Sequence, residues 1–174
     1  MKNFAVTFAA VFITIFAAPA FAQNATPVEA VRSFYAFHHT HDRSFSRAAI
    51  EARKKWFSAN LYELFLNELK RENAFLNSNP NEKPYFEDLS VDPIDESCLA
   101  GTRQLHKQVT VKPGAEDKSA ATVRAIFAFP SPCKDPDTTI YTIEIVRASR
   151  GWVIDNVIYE DGSNLVEDLK RKDY

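Results

Sequence analysis

The spacing of apolar positions along the chain changes once, near Arg103. Before that residue, apolar side chains recur every three or four positions, and after it they alternate with polar ones. The first spacing is that of one helix face, and the second is that of a strand with one buried side. The sequence therefore predicts an α+β domain, in which two or three N-terminal helices pack on a curved antiparallel sheet of at least four strands.

Three helix starts are marked by residues that cap an N-terminus. Thr26 is followed by Pro27 and Glu29, which form a capping box with proline at the first helical position. Ser46 and Ser58 are the second and third N-cap residues. We expect the first helix to end near residue 39, and a short terminal helix to form around residues 165–169.

Four strands are predicted, over residues 104–112, 121–129, 138–148 and 152–159. Turn signals separate them, since Pro113 and Gly114 follow the first strand and residues 149–151 join the last two into a hairpin.

A long loop is predicted between the helical half and the strands. Residues 77–93 contain three prolines and several Asn and Asp residues, which neither a helix nor a central strand tolerates. Tyr85, Phe86 and Leu89 lie within this loop. These side chains either pin the loop onto the core or form the rim of a binding pocket.

The N-terminus has the three parts of a secretory signal peptide. A positively charged start is followed by an apolar run from Phe4 to Phe16 and by Ala20-Phe21-Ala22. The run is shorter than the roughly 20 apolar residues that span a bilayer. We expect cleavage after Ala22, which leaves residues 23–174 as one domain that is periplasmic or secreted and has no membrane contact.

Charge and cysteine content add two expectations. The chain has 21 Lys and Arg against 23 Asp and Glu, a mildly acidic balance that argues against nucleic acid as a partner. Its two cysteines, Cys98 and Cys133, are predicted to form a disulfide in an oxidising compartment. A pair of buried free thiols is the alternative.

Three of the four histidines lie at the end of the first helix. His38, His39 and His41 cannot all converge on a metal ion, because neighbouring helical residues point about 100° apart and only His38 and His41 share a face. We therefore expect a solvated helix end here. We expect no metal site and no cofactor.

Asp155 is the carboxylate with the most unusual predicted surroundings. Regular alternation places it on one strand face with Val153, Val157 and Tyr159. Apolar neighbours raise the pKa of a carboxyl group, which is a property of a general base. The alternative is a structural role at the rim of the sheet, where Asp155 accepts a hydrogen bond from a backbone amide or pairs with a lysine.

Tyr35, Tyr141 and His106 are the other polar residues predicted to point inward. A tyrosine hydroxyl in a pocket can donate to a developing oxyanion, although it also serves as a core aromatic whose hydroxyl is hydrogen-bonded. No motif for nucleophilic acyl transfer is present in the sequence. Tyr35, Tyr141 and Asp155 are the candidate residues of a cavity.

The C-terminal third resembles a known family. The segment Gly151 to Tyr159, followed by Gly162 and the spacing of Leu165 and Leu169, is similar to the closing strand and tail of a bacterial exported family, domain of unknown function 3828. The resemblance extends over residues 27–170, since Phe34-Tyr35 and the Ser58 cap with Leu61 are similar to the helical half of that family.

The resemblance implies a nuclear transport factor 2-like fold, a cone-shaped sheet wrapped on helices around a cavity. Related folds include ketosteroid isomerase-like and polyketide cyclase-like enzymes as well as binding and dimerisation modules, so the fold alone does not assign a function. The tyrosine and two aspartates of the isomerases have no residue-by-residue match here.

We expect a non-enzymatic exported module that binds a small ligand in its cavity or a protein on its sheet. One alternative is a small isomerase, cyclase or hydrolase that uses Asp155 with a tyrosine. The other is an inhibitor or immunity-type partner of an exported enzyme. Self-association through the sheet, as a homodimer, is a further expectation.

Overall fold

The structure of the chain is a computed structural model that describes residues 26–93, 97–133 and 138–171. The predicted signal peptide, residues 1–22, lies outside the described residues. Helices and an antiparallel sheet are both present, which confirms the α+β class. Within the described ranges, every helix is too short or too polar to cross a bilayer.

The helices are α1 (Pro27–His38), α2 (Arg47–Arg53), α3 (Ala59–Ser78) and α4 (Leu165–Asp168). The strands are β1 (Ser97–Ala100), β2 (Arg103–His106), β3 (Gln108–Glu116), β4 (Ala120–Ala128), β5 (Thr139–Ala148) and β6 (Gly151–Ile158). Strands β3 to β6 form an antiparallel sheet in chain order, and β1 pairs with β2 in a separate hairpin.

The three predicted helix starts are confirmed. The Thr26 hydroxyl accepts a hydrogen bond from the Glu29 amide at 3.2 Å, and the Glu29 carboxylate accepts one from the Thr26 amide at 3.1 Å. Ser46 and Ser58 cap α2 and α3 in the same way, each through its side-chain oxygen. Such caps satisfy amides that have no partner within the helix.

The first predicted strand is confirmed only in part, and the turn predicted after it was wrong. Residues 104–112 are divided between β2 and β3, and Pro113 and Gly114 lie within β3 beside a bulge. A Cβ atom on Gly114 would approach the Thr122 carbonyl oxygen to 2.6 Å, so glycine permits close contact between the strands here. The turn lies later, where the Asp117 carboxylate accepts hydrogen bonds from two backbone amides.

The core lies between the helices and one face of the sheet. Its largest fully buried apolar side chains come from α1, α2, the α2–α3 connection, α3, the loop after α3, and strands β4 to β6: Tyr35, Phe34, Phe57, Phe65, Phe127, Ile50, Leu61, Leu89, Ile143, Ile145 and Ile154. Five of these residues are phenylalanine or tyrosine, and each ring contributes a large apolar area to stability.

The connection between α2 and α3 is tied to β6. The Ile154 amide donates to the Trp56 carbonyl, and the Ser58 amide donates to the Ile154 carbonyl, both at 2.7 Å. The Arg150 guanidinium, at the β5–β6 turn, donates to the Phe57 carbonyl at 2.6 Å. These bonds fix the helical layer against the edge strand of the sheet.

A bulge in β6 overturns the predicted alternation of that strand. Ile154 pairs with Ile145, and Asn156 pairs with Glu144, so Asp155 is an extra residue without a partner on β5. Residues Trp152 and Ile154 before the bulge therefore face the same core as Val157 after it. Asp155 consequently does not share a face with Val157, and no turn residue in the sequence marks the bulge.

The structure brings the sulfur atoms of Cys98 and Cys133 to disulfide-bonding distance, as predicted. Their Cα atoms lie 6.3 Å apart, within the range that disulfides span. The bond joins hairpin strand β1 to the segment after β4, and so attaches a hairpin that is separate from the main sheet.

Candidate functional site

The loop after α3 covers one end of the sheet and forms the wall of a pocket. Phe86 and Leu89 are buried in the core. They therefore pin the loop to the core, which was one of the two predictions for these side chains. The Glu72 carboxylate of α3 accepts a hydrogen bond from the Phe86 amide at 2.9 Å. Tyr35 and Tyr159 donate their hydroxyls to loop carbonyls, at 2.9 and 3.1 Å. The loop is therefore attached to α1, to α3 and to the residue that follows β6.

Between this loop, the sheet and α4 lies a pocket of about 340 Å³, which we call the tyrosine pocket. Its lining residues are aromatic, acidic or small and polar: Tyr85, Phe86, Asp88, Ser90, Asp92, Tyr141, Tyr159 and Asp168. Leu89 belongs to the core, Tyr85 lines the pocket, and Phe86 does both. That this pocket binds a ligand stays a prediction.

Asp92 is the most buried charged group of the pocket, with 2% of its side chain exposed. Its Oδ2 atom lies 3.1 Å from the Nε2 atom of His38 and 3.3 Å from that of His39. Its Oδ1 atom lies 3.7 Å from an Arg43 nitrogen. Burial alone would raise the pKa of Asp92, but its contacts with the two histidines outweigh burial and hold the pKa below its usual range. The carboxylate is ionised at neutral pH.

His38 is neutral, and its tautomer follows from its neighbours. The Nε–H of Arg53 donates to the Nδ1 atom of His38 at 2.7 Å. A guanidinium is always protonated, so Nδ1 carries no hydrogen and the ring proton sits on Nε2, the nitrogen that lies 3.1 Å from Asp92 Oδ2. Burial lowers the pKa of His38, and the hydrogen bond to Asp92 only partly opposes this. Both nitrogens of His38 are therefore occupied at neutral pH.

The prediction that His38, His39 and His41 form a solvated helix end was wrong for His38 and His39. His38 is 1% exposed and His39 is only partly exposed, because Asp92 of the loop folds over the end of α1. His41 is exposed and stacks on Phe37 instead, with ring centroids 3.7 Å apart. In the described part of the chain, no group of three or more potential ligands is placed to hold a metal ion.

Tyrosines surround the inner end of the pocket. The Tyr141 and Tyr159 rings lie 5.2 Å apart at 68°, and Phe127 lies between Tyr141 and Tyr35, 5.4 Å from each. Burial raises the pKa of the Tyr35 and Tyr159 hydroxyls above the ordinary value, so both stay neutral donors. Tyr141 lines the pocket, whereas Tyr35 lies behind it and holds the Val91 carbonyl.

Asp168 and Tyr85 form the outer rim with Arg171. The Arg171 guanidinium lies 3.1 Å from Asp168 and donates to the Tyr85 hydroxyl. Burial raises the pKa of Asp168, while the Arg171 charge opposes the increase. The rim is thus tied to the C-terminal helix α4, which the sequence predicted without a functional role.

Asp155 lies apart from the two tyrosines with which it was grouped. It lines a different groove of about 440 Å³ that includes Glu116, Asp117 and Glu144, and the two pockets share no lining residue. Its carboxylate is half-buried. Across the described ranges, we find no hydrogen bond or ion pair of that carboxylate, so the backbone amide or lysine expected of a structural role is absent too.

Five lining residues of the pocket were not singled out from the sequence: Asp88, Ser90, Asp92, Tyr159 and Asp168. The position of Asp92 between Val91 and Pro93 is a weak signal, because an acid before proline in an extended segment has few local partners. Tyr159 was placed on a strand face, but the β6 bulge decides which way that face points. Asp168 gave no signal at all.

The fold and the pocket define an α+β domain with a tyrosine-lined, acidic pocket beside a long loop. No family model matches the chain, and no curated protein or solved structure matches it either. The family resemblance therefore stays a prediction, and the chemistry of the pocket is the basis for any functional statement.

Proposed function

We propose that this protein is an exported, non-enzymatic binding module that takes a small ligand in the tyrosine pocket. The observation that carries the proposal is the pocket itself, about 340 Å³ in volume, which lies at the lower end of the size range of ligand sites. Its walls combine aromatic rings with a few polar groups, the composition by which such sites orient a small molecule.

The state of Asp92 favours binding over catalysis. A general base needs a pKa near the working pH, whereas the pKa of Asp92 is held below its usual range. His38 has no nitrogen available to accept a proton, because Arg53 and Asp92 occupy both. A fixed, ionised carboxylate suits recognition of a ligand group better than proton transfer.

The enzymatic alternative was built on Asp155 with a tyrosine, and the geometry gives it less support. Asp155 lies in a groove that contains no tyrosine, while Tyr141 lies in the tyrosine pocket. A proton abstraction shared by these groups requires them within reach of one substrate.

A fragment screen followed by nuclear magnetic resonance tests the proposed function. Amide shifts of the isotope-labelled protein are recorded with a set of neutral, cationic and anionic fragments. We expect shifts concentrated on residues 85–92, Tyr141 and Tyr159, weakened in a Tyr85→Ala variant. Tyr85 is 50% exposed, so this variant should fold normally. An Asp155→Asn variant, changed in the other groove, is the control, and the absence of pocket shifts with every fragment would refute the function.

The finer statements about fold and compartment are part of the same proposal. We infer a nuclear transport factor 2-like cone, membership of the family of unknown function 3828, and export after cleavage behind Ala22. The Cys98–Cys133 pair supports export, because disulfides persist in oxidising compartments. The mass of the protein recovered from its native compartment tests the cleavage, and the expected N-terminus is Gln23.

A protein partner is the second candidate, and one observation favours it. Leu99 is 78% exposed on the β1–β2 hairpin, which the disulfide holds in place. A rigid hairpin with an exposed apolar side chain suits an inhibitor or immunity-type contact with an exported enzyme. Recovery of one such enzyme with the native protein, but not with a Leu99→Glu variant, would support this candidate.

Self-association through the sheet stays a prediction. The outer face of the sheet carries Ile140, which is 38% exposed and pairs with Ile126 on β4. Light scattering after size-exclusion chromatography measures the mass of the particle. Conversion of a dimer to a monomer by Ile140→Glu would locate the interface on this face.

A further inference from the structure

The tyrosine pocket has aromatic walls that stand at steep angles to one another. Tyr85 and Phe86 are 4.9 Å apart at 77°, and Tyr141 and Tyr159 are 5.2 Å apart at 68°. Rings at such angles form adjoining sides of a partial cage, in which the Arg171 guanidinium already lies 5.6 Å from the centroid of the Tyr85 ring. The face of an aromatic ring attracts a cation through its quadrupole, most strongly where water is excluded.

Every charged residue that lines the pocket is acidic. Asp88, Asp92 and Asp168 contribute carboxylates, and the described lining contains no Lys, Arg or His. The arginines that pair with two of these acids, Arg43 and Arg171, are not among the lining residues. Carboxylates and aromatic rings therefore meet in one pocket, where Arg43 and Arg171 offset part of the negative charge.

Asp92 is held in a fixed orientation at the floor of this cage. His38 and His39 both contact its Oδ2 atom, so the carboxylate cannot rotate freely, and Arg53 fixes His38 in turn. Such a carboxylate is positioned before a ligand arrives, which reduces the entropy that binding costs. His38, His39 and Arg53 are not among the residues that line the pocket, so they do not occupy the space of a ligand.

We infer that the tyrosine pocket binds a small organic cation, a molecule whose head is an alkylated ammonium group. The inference rests on the proposed function, because it names the ligand class of that same pocket. The rings contact the alkyl groups and attract the positive charge, while the carboxylates balance it. A bare metal ion fits less well, since aromatic rings occupy positions where oxygen ligands would be needed.

Three probes of similar shape and different charge test the inference. Tetramethylammonium chloride, tert-butanol and sodium pivalate are titrated separately into the labelled protein at constant ionic strength. We expect tetramethylammonium to shift the amides of residues 85–92, Tyr141 and Tyr159 in a saturable way. The neutral and anionic probes should bind at least about tenfold more weakly, because they lack the attraction to rings and carboxylates.

Paired variants separate the ring from its hydroxyl. Tyr141→Phe keeps the ring and should retain tetramethylammonium affinity within about twofold, while Tyr141→Leu should weaken it about threefold to tenfold. Asp88→Asn should weaken it about threefold by removing one charge. Asp155→Asn, a matched loss of charge in the other groove, should leave it unchanged.

The outcomes distinguish this inference from the function on which it rests. If tert-butanol or pivalate binds in the pocket as tightly as tetramethylammonium, the inference that the ligand is a cation is overturned. The proposal that the pocket binds a small ligand would still stand. Equal losses of tetramethylammonium affinity in Tyr141→Phe and Tyr141→Leu would show that the hydroxyl, not the ring face, carries recognition. This result would also overturn the inference of a cationic ligand. Pocket shifts with none of the probes, nor with any fragment of the broader screen, would overturn both proposals.

Discussion

Arg53 donates its Nε–H to the Nδ1 atom of His38 across 2.7 Å, and both side chains are buried. The same guanidinium also donates to the Ala49 carbonyl at 2.9 Å. Arg53 ends α2 and His38 ends α1, so the contact joins two helix ends and passes the orientation on to Asp92. The floor of the tyrosine pocket is therefore positioned by a residue that lies outside it.

The contacts from Arg53 through His38 to Asp92 predict a loss of stability in mild acid. Burial lowers the pKa of folded His38 from the ordinary 6.5, so below about pH 6.5 the unfolded chain binds a proton that the folded protein does not. The free energy of unfolding should fall with a slope of up to about 1.4 kcal/mol per pH unit below that value. A second decline should begin below about pH 4, because the pKa of folded Asp92 is also lowered. Urea unfolding at closely spaced pH values measures both.

A His38→Gln variant isolates the histidine contribution. Its amide accepts and donates hydrogen bonds but does not titrate, so the decline between pH 6.5 and pH 5 should be reduced. His106→Gln serves as the control, at a position of β2 that is exposed and does not point inward as predicted. Equal slopes in wild type and His38→Gln would contradict the assignment. The ring nitrogen shifts of His38 also report its tautomer directly, and we expect the hydrogen on Nε2.

A double-mutant cycle should show that Arg53 and His38 act as one unit. Arg53→Met leaves the His38 Nδ1 atom buried without its donor and should cost about 3 kcal/mol. In a His38→Phe background the same change should cost about 1–2 kcal/mol less, since the group left unpaired is already gone. Chemical unfolding of the four proteins measures the coupling. Additive effects would mean that the 2.7 Å contact contributes little to stability.

The helices and three of the strands could be predicted because their signals are local. A capping box, two further N-cap serines and a change of period mark them, and each depends on residues within a few positions of one another. The β1–β2 hairpin and the extension of β3 through Pro113 were not predicted. Pro113 and Gly114 indicate a turn in the sequence, and only the contact of Gly114 with Thr122 shows that they lie within a strand.

The candidate site was predictable only in part, because two long-range events build it. Tyr141 was singled out and lines the pocket, and Tyr35 was singled out and supports it from behind. The approach of Asp92 to His38 depends on how a long loop folds back, which no periodicity encodes. The extra residue in β6 likewise changes which side chains of the last strand face the core.

The Cys98–Cys133 bond should make a large contribution to stability. The cysteines are 35 residues apart, and the chain-entropy model gives about 4 kcal/mol for a loop of this length. Alkylation of the native protein without reductant should modify neither cysteine, as intact mass shows. Thermal unfolding of a Cys98→Ala, Cys133→Ala double variant should occur well below the wild-type temperature. Two alkylated thiols in the unreduced protein would contradict the bond.

Asp155→Asn should have little effect on stability. The carboxylate is half-buried, and across the described ranges it has no hydrogen bond or ion pair that the substitution would break. Changes of this kind fall within about 0.5 kcal/mol, whereas loss of a charged hydrogen bond would cost about 1–3 kcal/mol. Nearby Glu116, Asp117 and Glu144 line the same groove, so removal of one negative charge should, if anything, stabilise the protein slightly at low salt. Urea unfolding at two salt concentrations measures the effect. A cost above about 1 kcal/mol would show that the bulge depends on this carboxylate.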